Sequence, residues 1–165
     1  MKQVTILLTK YTDFWGRFAR GITGKGFSHA SISLDEKEEI FYSFSKKGFT
    51  IEKPKKYWPK KKKPGSMYIR ITVPKHFYEV LENEIHKIQM EKEKYSFSKL
   101  GLFLCYLGIP SRLKNQYFCS QFVADVLSRS GIVQLKKSGS LYVPNNFIND
   151  INHYFPYQQT FYHNL

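Results

Sequence analysis

The segment HASISL, His29–Leu34, puts His29, Ser31 and Ser33 on one face and Ala30, Ile32 and Leu34 on the other; IFYSFS, Ile40–Ser45, returns after the acidic run DEKEE. Strict alternation of this kind is the period of a half-buried strand, and two such runs joined by a short polar turn predict an antiparallel hairpin. A hairpin is at best marginal alone in water. Its apolar face needs further strands and a covering layer. The strands are available: Val4–Thr9 in MKQVTILLTKY, a short one in GFTIE, a longer one in SMYIRITVP, and a final edge strand in YQQTFY. So is the layer. TDFWGRFARGITG has Thr12 or Asp13 as N-cap, Phe14, Phe18 and Ile22 at helical spacing, and Gly24 as a stop. KHFYEVLENEIHKIQMEKEK carries Phe77, Val80, Leu81, Ile85 and Ile88 on one stripe. Further helices are expected from about Ser98 to Leu107, ended by Gly108 and Pro110, from Cys119 to Ser130 with Gly131 beyond it, and in VPNNFINDI. The expectation is an α+β protein, a small antiparallel sheet packed against helices, in a single domain spanning residues 1–165, with no internal repeats and no linker long enough to split the chain.

Lys53–Pro64, KPKKYWPKKKKP, interrupts this pattern with prolines at 54, 59 and 64 and seven lysines. No helix or central strand accommodates it, so it is predicted to be an exposed loop. The chain as a whole holds 26 Lys+Arg against 13 Asp+Glu, a formal charge of +13, which favours anionic partners: nucleic acid, acidic lipid headgroups or cell-wall polymers. Trp58 beside Lys60, Lys61, Lys62 and Lys63 makes the loop a candidate anion-binding surface, because an aromatic ring among lysines stacks on bases or sits at a headgroup interface. The N-terminal apolar run is too short for a signal-peptide core, and LGLFLCYLGIP is too short to span a bilayer. The expectation is a cytoplasmic protein, with peripheral membrane contact left open.

Two cysteines, Cys105 and Cys119, stand in unlike settings and give neither a disulfide framework nor a CxxC metal pattern, so no metal and no cofactor is expected. Cys105 lies in an apolar run and reads as core. Cys119 opens a helix in NQYFCSQFVADVLSRSG, where unpaired N–H groups and the positive end of the helix dipole favour a thiolate, with Phe122, Val123, Val126 and Leu127 anchoring the helix behind it. His29 begins a strand whose other face is plainly core. A thiolate needs a base, and an imidazole both removes the proton and later returns it to the leaving group. His76 and His86 read as surface; His153 and His163 carry no assignment.

The pairing of FSHASISLDEKEEIFYSF with a later YFCSQFVADVL resembles the permuted papain-like cysteine hydrolases, the group that includes NlpC-type cell-wall amidases and lecithin retinol acyltransferase-like enzymes. In its permuted branch the histidine strand precedes the cysteine helix, which is the order here, and YVPNNF after the helix adds to the likeness. The resemblance implies Cys119 as nucleophile and His29 as base. It implies a third polar residue on the strand after the histidine, near Tyr42 and Ser43, and Ser43 is the choice for its small polar side chain. The Cys119 N–H is one expected oxyanion donor. No second donor is assigned; Tyr117 is adjacent and is a candidate for substrate contact.

The expected function is therefore a cysteine hydrolase of amidase or peptidase type, cleaving an amide or ester through an acyl-thioester on Cys119, with peptide-type or other acyl-containing small substrates. Two alternatives stay open: a lipid acyl hydrolase or acyltransferase at a membrane surface, and a non-catalytic basic module binding nucleic acid or another polyanion.

Overall fold

The computed structural model describes residues 1–11, 26–54, 65–154 and 160–163, with only the backbone described from residue 152 onward. The helix expected around Phe14–Ile22 and most of the lysine loop, with Trp58 and Lys60, Lys61, Lys62 and Lys63, lie outside the described residues. Strands β1 (Lys2–Lys10), β2 (His29–Ser33), β3 (Phe41–Ser45), β4 (Gly48–Glu52), β5 (Gly65–Val73) and β8 (Thr160–His163) form one sheet in the order β4-β3-β2-β1-β5-β8. Every neighbouring pair is antiparallel. A two-stranded parallel ladder joins β6 (Ser96–Phe97) to β7 (Gln116–Tyr117). The helices among the described residues are α1 (Lys75–Met90), α2 (Lys99–Tyr106), α3 (Cys119–Arg129) and α4 (Asn146–Tyr154), and none is long and apolar enough to cross a membrane.

The predicted hairpin is there. Asp35 makes its turn by accepting the N–H groups of Lys37 (3.0 Å) and Glu39 (2.9 Å), and those donors hold its carboxyl below the usual carboxylate range. Alternation sorts the sheet into two unlike faces. On one, Val4, Ile6, Leu8, Ala30, Ile32, Phe44, Met67, Ile69 and Ile71 pack against Leu81, Ile85 and Ile88 of α1 and Phe122, Val123, Val126 and Leu127 of α3. The other face is polar yet buried: Thr5, Thr9, His29, Ser31, Ser33, Ser43 and Ser66 surround a small apolar cluster of Leu7, Phe41 and Tyr68. At its far side Arg70 makes a two-pronged ion pair with Glu38, which also accepts the Thr5 hydroxyl at 3.1 Å, so the buried charges compensate one another.

Several expectations shift in detail. The long helix stops at Met90 instead of running to Lys94, because its last core residue is Ile88; a 3-10 turn over Lys92–Lys94 follows. Val80, expected on the apolar stripe, is exposed. Helix α3 is buried on all sides from Ser120 to Leu127, including Gln121 and Asp125, so it is a central element rather than a surface helix. Burial raises the Asp125 carboxyl against the pull of Arg112 and Arg129, which approach it at 3.4 and 4.0 Å. The edge strand in YQQTFY falls at β8; residues 157–159 lie outside the described part.

Candidate active site

Helix α3 starts at Cys119 as the sequence predicts. Phe118 before it is extended (φ −106°, ψ 166°), no side chain caps the first turn, and no acidic residue stands in it. The N–H groups that open the helix are therefore left to serve the thiol, and no carboxylate opposes a negative charge there. The Cys119 sulfur lies within the electrostatic influence of the His29 ring and of the N–H groups of Ala30 on β2 and of Ser120, all of which favour its thiolate.

His29, nine-tenths buried, is the first residue of β2. Its Nε2 lies 2.7 Å from Oε1 of Glu52, the last residue of β4, two strands away. That contact leaves Nδ1 as the nitrogen available to the thiol. The ring of Tyr11 covers the imidazole with centroids 5.4 Å apart, and Tyr11 is held there by its N–H bond to Ser28 Oγ (2.9 Å). On the same face of the sheet, Thr9 pairs with His29 across β1 and β2, and Ser31 follows it along β2. Among the described residues their buried hydroxyls have no hydrogen-bond partner, so two donors stand beside the imidazole.

The two titrating groups push each other toward charge. Burial acts to lower the His29 pKa, but the Glu52 carboxylate and the Cys119 sulfur outweigh it and hold the imidazole well above the ordinary histidine value. Burial acts to raise the Cys119 thiol. The His29 charge and the Ala30 and Ser120 N–H groups together bring it below the ordinary thiol value. The arrangement favours a thiolate–imidazolium pair, with a carboxylate behind the imidazolium. Cys105 behaves oppositely: it is buried on α2, and burial together with the charge of Cys119 raises its thiol.

The structure corrects the third position. Ser43 is fully buried and its hydroxyl donates to the Ala30 carbonyl oxygen at 2.7 Å, so it braces the strand next to the histidine and does not orient the ring. Glu52 does. The sequence signal for it was thin: in GFTIE, alternation places Thr50 and Glu52 on the face shared with His29, but which strand curls far enough to reach the ring is a property of the sheet. Tyr117 packs its ring on Phe44 and Phe122 and accepts a hydrogen bond from Arg129 at 3.0 Å.

The YVPNNF segment has a mechanical part. The Tyr142 carbonyl accepts the Ser120 hydroxyl at 2.7 Å, and Asn145 Oδ1 accepts the Phe27 N–H at 2.9 Å. One short stretch thus ties the start of the cysteine helix to the approach of the histidine strand. Gly26 is needed for it: a Cβ there would come within 1.8 Å of Asn145 Nδ2. Among the described residues no group of three His, Cys, Asp or Glu side chains is placed to hold a metal ion. No protein-family model matches this chain, and no curated protein sequence does.

Proposed function

We propose that the protein is a cysteine hydrolase with a permuted papain-like arrangement, in which Cys119 is the nucleophile, His29 the base and acid, and Glu52 the group that orients and charges the imidazole. The observation that carries the reading is the His29–Glu52 pair at 2.7 Å together with a thiol at an uncapped helix start, on which the His29 charge acts. The thiolate attacks the carbonyl carbon of an amide or ester, and the Cys119 N–H receives the developing oxyanion. The imidazolium gives its proton to the departing amine or alcohol, leaving a thioester on Cys119. Neutral His29 then takes a proton from water as the water attacks the thioester, and the thiolate is released with the acid product. Peptide-type amides are the first substrate class, since a thiolate–imidazolium pair suits a leaving group that must be protonated as it departs.

Covalent capture tests it. Incubated with an activated ester such as p-nitrophenyl acetate, the protein gains one acyl group, and mass spectrometry places it on Cys119. Cys119→Ala gains none, and His29→Ala reacts slower by orders of magnitude while keeping its circular dichroism spectrum. Capture at the wild-type rate by His29→Ala would remove the base from the mechanism.

A further inference from the structure

Helix α2 faces the wrong way for a helix of a globular core. It buries only Gly101 and Cys105, among the smallest side chains it has, and turns Leu100, Phe103 and Tyr106 outward, each about half exposed (54, 49 and 56%). The turn that follows continues the patch with Leu107 and Ile109, exposed to 52 and 48%. An amphipathic helix laid on a protein core does the reverse, so a contiguous apolar face of this kind marks a surface that is covered in use.

The rim of the patch says by what. From Ser96 to Ala124 the chain contains no Asp or Glu, while in sequence Lys99 precedes the patch and Arg112 and Lys114 follow it, all exposed, with Arg112 paired to Asp125. Lys137 adds to them: its charge acts on the thiol of Cys105, on the inner side of α2. A second copy of the same chain would meet this face with a formal charge of +13 against +13. An anionic partner is attracted instead, and large apolar side chains framed by basic ones are the composition of an element that lies in the headgroup region of a bilayer.

We propose that α2 and the turn through Ile109 are the face by which the protein docks on an anionic lipid surface. Docking needs no acyl transfer, and it stands whether or not Cys119 is a nucleophile.

Co-sedimentation with vesicles decides it. The wild-type protein should pellet with phosphatidylglycerol vesicles and stay in the supernatant with phosphatidylcholine vesicles; Cys119→Ala should behave like the wild type, so failure of the catalytic reading leaves this result untouched. The variant F103S/Y106S/L107S should lose at least about tenfold in partitioning, the change expected when three half-exposed apolar side chains are withdrawn from the interface. Its far-UV circular dichroism and the alkylation rate of Cys119 should stay at wild-type values. Lys99→Gln with Lys114→Gln should weaken binding to phosphatidylglycerol and flatten its salt dependence. Wild-type protein that remains in the supernatant with both vesicles overturns the proposal, as does a triple variant that pellets as the wild type does. A concentration-dependent dimer lost in the triple variant, without vesicle binding, would assign the patch to a second copy and overturn it as well.

Discussion

Replacing Glu52 by Gln keeps the shape of the side chain and an oxygen able to meet His29 Nε2, but removes the charge. The carboxylate lies 2.7 Å from the imidazole and keeps only 18% of its side chain exposed, so solvent screens it weakly. Two unit charges about 4 Å apart interact by about 4 kcal/mol at an effective dielectric of about 20. Part of this is offset by the cost of keeping the carboxylate out of water, and a facing opposite charge shifts a pKa by about 1–3 units in practice. That corresponds to about 1.4–4 kcal/mol of preference for the imidazolium. The His29 pKa should fall in E52Q, because the Glu52 charge that helps to raise it is gone. The Cys119 pKa should rise with it, because the imidazolium that stabilises the thiolate is no longer present where the thiol titrates.

Alkylation by iodoacetamide, followed from pH 4 to pH 10, reads the thiolate directly. In the wild type the rate should climb through a Cys119 pKa that lies below the ordinary thiol range. In E52Q the climb should move toward the ordinary thiol value of about 8.5, with a rate at pH 6 lower by about tenfold or more, and the two profiles should converge in alkali. Stability carries the same signature with a defined sign. His29 is raised, so its contribution is fully present below about pH 6.5 and is lost as pH rises through its folded value; Cys119 is lowered, so its contribution is present above about pH 8.5 and is lost as pH falls through its folded value. The part of the stability difference between wild type and E52Q that comes from His29 should therefore be full below about pH 6.5 in urea titrations and shrink as pH rises through the folded His29 value. Superimposable alkylation profiles would show that Glu52 does not set the charge of the imidazole, and the argument from the contact to the chemistry would fail.

Three further substitutions or treatments separate the roles. Ser43→Ala removes the bond to the Ala30 carbonyl and should cost about 1 kcal/mol in urea unfolding, while the pH profile of Cys119 alkylation stays where it is. Asn145→Ala leaves the Phe27 N–H without its acceptor and should cost about 1–3 kcal/mol, with a loss of acylation rate larger than that of Ser43→Ala; kinetics with the activated ester checks it. Iodoacetamide at pH 7 should label Cys119 alone in the folded protein and both cysteines in urea, because burial protects and raises the Cys105 thiol; peptide mass spectrometry counts the sites.

What the sequence showed and what it hid divide along a physical line. Local periodicity finds elements: the alternation of HASISL, the stripe through Leu81, Ile85 and Ile88, and the apolar side of the helix after Cys119 all report one face of one element against a core. It also finds residues whose position within their element is itself the chemical argument, such as a cysteine on a first helical turn or a histidine at a strand start on the polar face. It does not find partners that depend on how strands curl over one another. Glu52 meets His29 across an intervening strand, and the nearer Ser43, on the strand beside β2, is occupied by the Ala30 carbonyl. Tyr11 covers the ring because Ser28 holds its backbone, a contact invisible in the run TKYTD. In helix α2 Cys105 is buried as its apolar run suggests, and only the packing shows that Gly101 is the other residue the helix buries while Leu100, Phe103 and Tyr106 stay exposed.

The parts of the candidate site come from three elements, α3, β2 and β4. Beside the apolar packing of α3 on β2, two hydrogen bonds to residues three apart tie the helix start to the approach of the strand, from Ser120 to the Tyr142 carbonyl and from Phe27 to Asn145. Each is worth only about 1 kcal/mol net to the fold, because the broken state recovers bonds to water. Rate depends on them far more steeply, since a misplacement of about 1 Å at the reacting groups can cost about a hundredfold. Stability and activity should therefore part company at this clamp. A substitution at Ser120 or Asn145 that the fold tolerates still moves the thiol relative to the imidazole, and the sulfur then loses the His29 charge that offsets its burial. The pKa of Cys119 should drift upward as the clamp loosens, and the same alkylation profile that reads Glu52 reads this as well.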